Sequence, residues 1–266
     1  MCPRKPHRAH LRAILTLGVP LIGSHIAQLS ITLTDAMMMG WYDVKTLGAQ
    51  VLASEIFFVL FIFGSGFAWA VMPMVAAAQA AGEEIQVRRV TRMGGWTSIA
   101  FGIAILPVML WSEPILLALG QDEVIAVLAG AYLRIAGWGL VPALLVMVLK
   151  SYLAAQERTQ VVLWVTVAAV GLNMVLNYAL IFGNLGMPEL GIRGAAIASV
   201  LINLASFAAL AVYAAHCLPQ HALFLRVWRP DWEALGRVFR LGWPIGVTSL
   251  LESSLFLAST VMMGWI

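Results

Sequence analysis

One long apolar segment occurs twice in the chain, and this repeat most constrains the possible fold. Residues 17–41 and 241–265 align without a gap at an offset of 224 residues, with 9 of 25 positions identical. Both copies begin with Leu-Gly-x-Pro and end with Met-Met-Gly-Trp. A parallel repeat of a membrane-length helix is typical of secondary transporters built from two similar bundles. We therefore expect an all-α integral membrane protein in which the second copy begins a second bundle.

The composition excludes a water-soluble globular protein. Hydrophobic residues make up 61% of the chain, charged residues only 11%, and the mean hydropathy is +0.90. Charged residues approach a quarter of an ordinary soluble protein, and about 20 apolar residues suffice to cross a bilayer core. The apolar stretches predict seven spans, at residues 13–36, 50–79, 93–112, 124–149, 160–182, 192–215 and 238–265.

The spans and the repeat divide the chain into three predicted parts. Residues 1–215 should form an amino-terminal six-helix bundle, and residues 216–237 a cytoplasmic linker. Residues 238–266 should form the first helix of a second, incomplete bundle that is related to the first by the repeat. The expected architecture is therefore six helices and the first helix of the next bundle.

The predicted linker is polar and carries a Trp-Arg-Pro-Asp-Trp run. We expect Trp228 and Trp232 at the membrane interface, where indole rings are enriched. Asp231 is expected to cap a short helix that runs through Glu233 and Leu235. This pattern favours an amphipathic segment along the membrane surface.

The distribution of Lys and Arg predicts the membrane topology. Of the 16 cationic side chains, 13 lie at the amino terminus or in the second, fourth and sixth connections. They are Arg4, Lys5, Arg8, Arg12, Arg88, Arg89, Arg92, Lys150, Arg158, Arg226, Arg229, Arg237 and Arg240. Because cytoplasmic loops are enriched in Lys and Arg, we expect a multi-pass protein of the inner (plasma) membrane with a cytoplasmic amino terminus. Charges scattered over short loops do not indicate a nucleic-acid partner.

The sequence predicts no metal centre and no cofactor. The two cysteines, Cys2 and Cys217, lie on the predicted cytoplasmic side and indicate neither a disulfide framework nor a metal site. The five histidines show no ligand spacing. Arg134 lies inside the fourth span near its end, and we expect it to reach the interface in a structural role.

Three carboxylates lie inside predicted spans: Asp35 in the first, Glu252 in the seventh, and Glu55 nearer the end of the second, where we expect a structural role. A charged side chain within a bilayer costs several kcal/mol and usually faces a cavity. In the repeat, Asp35 aligns with Ser259 and Glu252 aligns with Gln28, so each copy carries one acid and one neutral polar group. The two positions are about two turns apart, roughly 10.5 Å along one helix face. The pattern predicts two non-equivalent sites for Na⁺ or H⁺, with packed structural acids as the alternative.

Neutral polar groups are candidates for the same cavity. The cavity-lining candidates are Gln28, Thr32, Thr34 and Ser259. Asn173 and Asn177 are four residues apart and therefore share a helix face. Because amides facing lipid are costly, we expect them either to contact Asp35 or to hold helices together.

These motifs resemble those of the multidrug and toxic compound extrusion (MATE) transporters, most closely the bacterial NorM-like branch. The resemblance covers essentially all 266 residues. It rests on the Asp35-bearing helix that ends in Met-Met-Gly, on Asn173-x-x-x-Asn177-Tyr178, and on Phe-Gly-Asn-Leu-Gly-Met-Pro-Glu-Leu-Gly at residues 182–191. It also rests on Gly-Ala-Ala-Ile-Ala-Ser at residues 194–199, and on Leu-Gly-x-Pro-Ile-Gly at 241–246 followed by Glu252.

The resemblance implies a twelve-helix efflux antiporter and not an enzyme. Such an antiporter exports organic cations in exchange for Na⁺ or H⁺ and is a monomer at full length. The resemblance places Glu252 on a carboxylate implicated in Na⁺ coupling, whose partners would lie beyond Ile266. In some branches Asp stands at the position of Asn177, and its absence here disfavours a proton-only site. The implied cation cluster of the amino-terminal bundle is Asp35, Asn173, Asn177 and Ser199.

Four other interpretations differ from this one. A flippase for lipid-linked precursors would favour a cationic cavity, whereas the buried charges here are mostly acids. An intramembrane enzyme would require paired catalytic or metal-binding motifs that the spacing lacks. A seven-helix receptor would not explain the repeat, and an inactive half-transporter fragment stays open.

Overall fold

The computed structural model describes residues 7–223 and 231–263. Within these residues the chain forms α-helices and one short 3-10 turn, and no β-strand. The elements are α1 (His7–Tyr42), α2 (Val44–Ala80), α3 (Glu84–Leu110), α4 (Ser112–Ala118), α5 (Glu123–Ala155), α6 (Thr159–Phe182), α7 (Ile192–Cys217), the 3-10 turn (Pro219–His221) and α8 (Trp232–Met263). The all-α prediction is confirmed.

Seven long helices coincide with the seven predicted spans, and most extend beyond them. Five, namely α2, α3, α5, α6 and α7, have the length and apolarity to cross a membrane. The ends differ from prediction because polar residues at a membrane surface can continue helical hydrogen bonding that hydropathy does not detect. Arg88, Arg89, Arg92 and Lys150 therefore lie on helices α3 and α5 rather than in connections. The short helix α4 was not predicted.

The carboxyl-terminal part of the predicted linker belongs to α8. The Asp231 carboxylate accepts a hydrogen bond from the Ala234 amide at 3.1 Å, and the Asp231 carbonyl accepts one from Leu235 at 2.8 Å. Asp231 thus caps a helix as predicted, but this helix is the long α8 and not a separate short one. The following sequence-predicted residues lie outside the described part of the chain: Cys2, Arg4, Lys5, Arg226, Trp228 and Arg229.

Helix α5 lies at the centre of the bundle and packs against α2, α3 and α7. Its apolar face is buried over its whole length, from Leu133 to Leu153, both of which are inaccessible to solvent. Helix α1 packs mainly against α6, and α8 packs against α2 and α3. This arrangement places the polar residues of α1 and α6 next to each other.

Helices α1 and α8 are related as the repeat predicts. At the offset of 224 residues, α8 corresponds to residues 8–39, which lie inside α1. Each helix carries the proline of the repeat within its length, Pro20 in α1 and Pro244 in α8. Proline is tolerated inside membrane helices where neighbouring groups satisfy the freed backbone.

A candidate cation site between helices α1 and α6

The Asp35 carboxylate on α1 lies against two amides of α6. The Nδ2 atoms of Asn173 and Asn177 donate hydrogen bonds to the same oxygen, Asp35 Oδ1, at 2.7 Å and 2.5 Å. The two amides reach one oxygen because residues four apart lie on the same face of a helix. Of the two interpretations of these asparagines, contact with Asp35 is the one observed.

Both asparagines are completely buried, with 0% exposure, and their Oδ1 atoms have no hydrogen-bond partner among the residues that the structure describes. An unpaired buried carbonyl oxygen is costly. An Asn amide carries both donors and an acceptor, and rotation by about 180° exchanges their positions. Each amide can therefore donate to an ionised Asp35 or turn its oxygen toward a cation bound there. Carboxylate and carbonyl oxygens are the ligands that hard cations prefer.

Helix α5 contributes Tyr132, which sequence reasoning missed. Its side chain is 6% exposed, interacts with the hydroxyls of Ser199 and Ser54, and lies in the electrostatic field of Asp35. Ser199 is half-buried and donates to the Ala195 carbonyl at 3.0 Å. Ser199 therefore interacts with Tyr132, which in turn lies in the field of Asp35, and its membership of the cation cluster stays a prediction. The available signal was a single hydroxyl in an apolar stretch of α5.

The other candidates on α1 lie on an open face of the helix. Thr32 is exposed and Thr34 is half-buried. Gln28 is also exposed, and its Oε1 atom accepts a hydrogen bond of 3.4 Å from the Lys150 ammonium of α5. The face that carries Asp35 therefore continues as a polar surface toward the start of α1.

The two candidates on α8 lie apart from this cluster. Glu252 is exposed and forms no hydrogen bond or ion pair with any residue that the structure describes. Ser259 is exposed as well. The structure brings together Asp35, Asn173 and Asn177. Ser199 interacts with Tyr132 instead, and Glu252 does not enter this hydrogen-bond network among the described residues.

Arg134 has a partner that the sequence did not reveal. Its guanidinium lies 2.7 Å from the Glu113 carboxylate, and the Arg134 side chain is 52% exposed. Glu113 belongs to α4, the helix that was not predicted. The pair supports the structural role expected for Arg134, because it ties α4 to α5 away from the Asp35 cluster.

Comparisons with known proteins agree with this arrangement. The MatE family model matches residues 20–179. The probable multidrug resistance protein NorM of Rhizobium meliloti is 49% identical over 97% of this chain, and that of Agrobacterium fabrum is 45% identical over 97%. The chain spans about 56% of the length of these two relatives.

Solved structures share the fold. The eukaryotic MATE transporter AtDTX14 superposes with a TM-score of 0.84 at 21% identity, over 96% of this chain and 56% of that one. A MATE protein in complex with MaD3S gives a TM-score of 0.79 at 20% identity, over 90% of this chain and 53% of that one. The family model covers more than half of the chain and includes Asp35, Asn173 and Asn177. The chain therefore belongs to the MATE family.

Proposed function

We propose that the chain forms the amino-terminal bundle, with the first helix of the second bundle, of an antiporter that exports organic cations in exchange for Na⁺ or H⁺. In this proposal the Asp35 cluster holds the coupling ion, and the protein transports its substrates without changing them chemically. It lies in the inner membrane with its amino terminus in the cytoplasm and works as a monomer at full length. The names of the NorM relatives as multidrug resistance proteins support the choice of cargo.

The carboxylate shared by two buried amides is the observation that carries the proposal. The hydrogen-bond partners of Asp35 are the neutral amides of Asn173 and Asn177. No cationic side chain among these partners neutralises the carboxylate. A carboxylate in a low-dielectric site without a cationic partner binds a proton or a metal cation favourably. The free amide oxygens would complete a Na⁺ shell, which favours Na⁺ without excluding H⁺ as coupling ion.

The charge distribution supports the proposed orientation. Arg88 and Arg89 lie in the first turns of α3, Arg158 directly precedes α6, and Arg237 lies in the first turns of α8. Odd and even connections of a multi-pass chain face opposite sides of the membrane. These positions fall on the side of the amino terminus, which the distribution of cations predicts to be cytoplasmic.

Chemical modification of Asp35 tests the site directly. The purified chain is treated with a water-soluble carbodiimide and an amine, which converts an accessible carboxyl into an amide, and modification is located by peptide mass spectrometry. We expect Na⁺ to slow modification of Asp35 if Na⁺ binds there, with choline as the control cation. If H⁺ is the coupling ion, the rate of Asp35 modification should depend on pH and not on Na⁺. A rate that responds to neither Na⁺ nor pH would remove Asp35 from cation binding.

Transport is tested by the Asp35→Asn variant in cells whose drug resistance depends on this protein. We expect resistance to fall to that of cells without it, at an unchanged amount of protein in the membrane. Glu252→Gln is expected to remove the dependence of efflux on Na⁺. Identical efflux with and without Na⁺ in the wild type would instead assign the coupling ion as H⁺.

A further inference from the structure

The connection between α6 and α7, residues 183–191, folds back onto the end of α6. The Leu190 amide donates to the Leu180 carbonyl at 3.0 Å, and the Gly191 amide donates to the Ile181 carbonyl at 3.4 Å. Gly183 begins the connection with a positive φ of 70°, and a Cβ there would lie 2.8 Å from the Glu189 amide nitrogen. The backbone thus fixes where Glu189 lies relative to α6.

Tyr42, the last residue of α1, contacts the end of α6 and this connection at three points. Its hydroxyl lies close to the Glu189 carboxylate and interacts with it. Its ring meets Phe182 edge to face, with centroids 6.2 Å apart. A Cβ on Gly191 would lie 3.1 Å from the Tyr42 hydroxyl oxygen, so the close approach favours glycine there. We call the contact between Tyr42 and Glu189 the outer clasp.

The outer clasp lies in line with the cation site. Tyr42 follows Asp35 by seven residues, about two turns or roughly 10.5 Å along the same face of α1. Between them Met39 has 0% exposure and packs with Ile181 of α6 in one apolar cluster. Because closely packed interiors transmit displacements, a shift of the end of α1 along α6 will reach Asp35.

We infer that Tyr42 and Glu189 are positioning residues for the cation site. Their clasp sets the register of α1 against α6 and so holds Asp35 within reach of Asn173 and Asn177. The inference rests on the proposed function, since it assigns a role in cation binding to residues that do not touch the cation. Neither residue belongs to the set that sequence reasoning selected.

The test measures the Na⁺ concentration that halves the rate at which the carbodiimide modifies Asp35. If the coupling ion is H⁺, it measures the pH midpoint of modification instead. We expect Tyr42→Phe and Glu189→Gln each to weaken Na⁺ protection by roughly fivefold, the effect of one lost polar contact of ordinary strength. The double variant should be no worse than either single one, because both changes remove the same interaction. Melting temperatures should stay close to that of the wild type.

Tyr178→Phe is the matched control. The Tyr178 ring also lies 6.2 Å from Phe182, but its hydroxyl has no partner among the described residues. We expect wild-type protection in this variant. Equal losses in Tyr178→Phe and Tyr42→Phe would indicate general loosening of the helix ends and overturn the inference.

Failure of the inference is distinguishable from failure of the proposed function. If Na⁺ protects Asp35 in the wild type and the Na⁺ midpoint is the same in Tyr42→Phe and Glu189→Gln, the role of the outer clasp alone is overturned. Additive effects in the double variant would also overturn it, because the two residues would then act separately. An Asp35 rate insensitive to Na⁺ and pH in the wild type would overturn both.

Discussion

Gly66 of α2 and Gly246 of α8 meet backbone to backbone. A Cβ on Gly66 would lie 2.4 Å from the Gly246 amide nitrogen, a distance that no side-chain rearrangement can relieve. Aromatic rings flank the contact, with Phe63 and Trp243 centroids 5.3 Å apart. Small residues at membrane helix interfaces permit this close approach. Helix α8, which carries the second copy of the repeat, is thereby held directly on α2.

We expect Gly66→Ala to destabilise the packing of α8 on α2. The added methyl group must displace backbone, which costs roughly 2 kcal/mol in a well-packed interior. The measurement is the thermal unfolding midpoint of the purified protein in detergent. Gly48→Ala on the same helix is the control, because nothing lies within 4 Å of its Cβ position, and it should be neutral or slightly stabilising.

The Asp231 carboxylate makes stability depend on acid pH. Its hydrogen bond and ion pair with Arg89 lower the pKa of Asp231 from 3.8 to about 2. A lowered folded-state pKa means that the stabilisation is complete above the unfolded value and is lost as pH falls toward 2. We expect a loss of about 1 kcal/mol, because solvent screens a pair near the surface.

Arg89→Gln should remove this dependence on pH, measured as the change in unfolding midpoint between about pH 5 and about pH 3. Arg88→Gln removes a neighbouring charge without breaking the pair and should retain the wild-type dependence. The same acid loss in Arg89→Gln and in the wild type would assign that loss to other carboxylates.

His221 should anchor the 3-10 turn only while it is neutral. Its Nδ1 atom lies 2.5 Å from the Tyr152 hydroxyl, and the ring is 4% exposed. Burial lowers the pKa of His221 below 6.5, and the field of Glu84 partly opposes this. The anchoring is therefore complete above the ordinary pKa and is lost as pH falls through the lowered one.

We expect amide hydrogen exchange of residues 218–223 to accelerate between about pH 7 and about pH 5, beyond the intrinsic effect of pH on exchange. Tyr152→Phe should show fast exchange already at neutral pH, because it leaves the buried ring nitrogen unpaired. His216→Gln, which changes an exposed histidine of α7, should behave as the wild type. An acid response that persists unchanged in His221→Gln would contradict the assignment.

Gln28→Glu should stabilise the contact between α1 and α5. The substitution introduces at Gln28 the acid that the repeat carries at Glu252, and it converts the 3.4 Å amide contact with Lys150 into an ion pair. We expect a gain of about 0.5 kcal/mol, because Gln28 is exposed. The unfolding midpoint measures it, with Gln28→Glu in a Lys150→Met background as control. A gain that survives the loss of Lys150 would exclude the ion pair.

The contact between Asp35 and the asparagines of α6 was one of the two outcomes that the sequence left open, and it follows from local rules. One acid in an apolar span needs polar neighbours, and Asn173 and Asn177 were the only pair of amides that share one face of a span. Seven long helices were predictable for a similar reason, since length and apolarity are properties of continuous segments.

What sequence reasoning missed depends on which helices become neighbours. Tyr132 joins the site because α5 lies at the centre of the bundle, and Glu113 meets Arg134 because a short helix turns back after α3. Tyr42 meets Glu189 because a nine-residue connection folds onto α6. Helix ends were placed wrongly because charged residues such as Arg89 end an apolar stretch without ending a helix.

The neutral surroundings of Asp35 bear on how tightly a transporter using this site would couple two fluxes. Amides and hydroxyls stabilise a charge less than a neighbouring cation would, so the vacant, ionised site is a high-energy state inside the bilayer. A bundle that reorients with the site vacant must carry this charge through a low-dielectric interior. We therefore expect the vacant transporter to reorient slowly and to waste few coupling ions in futile cycles.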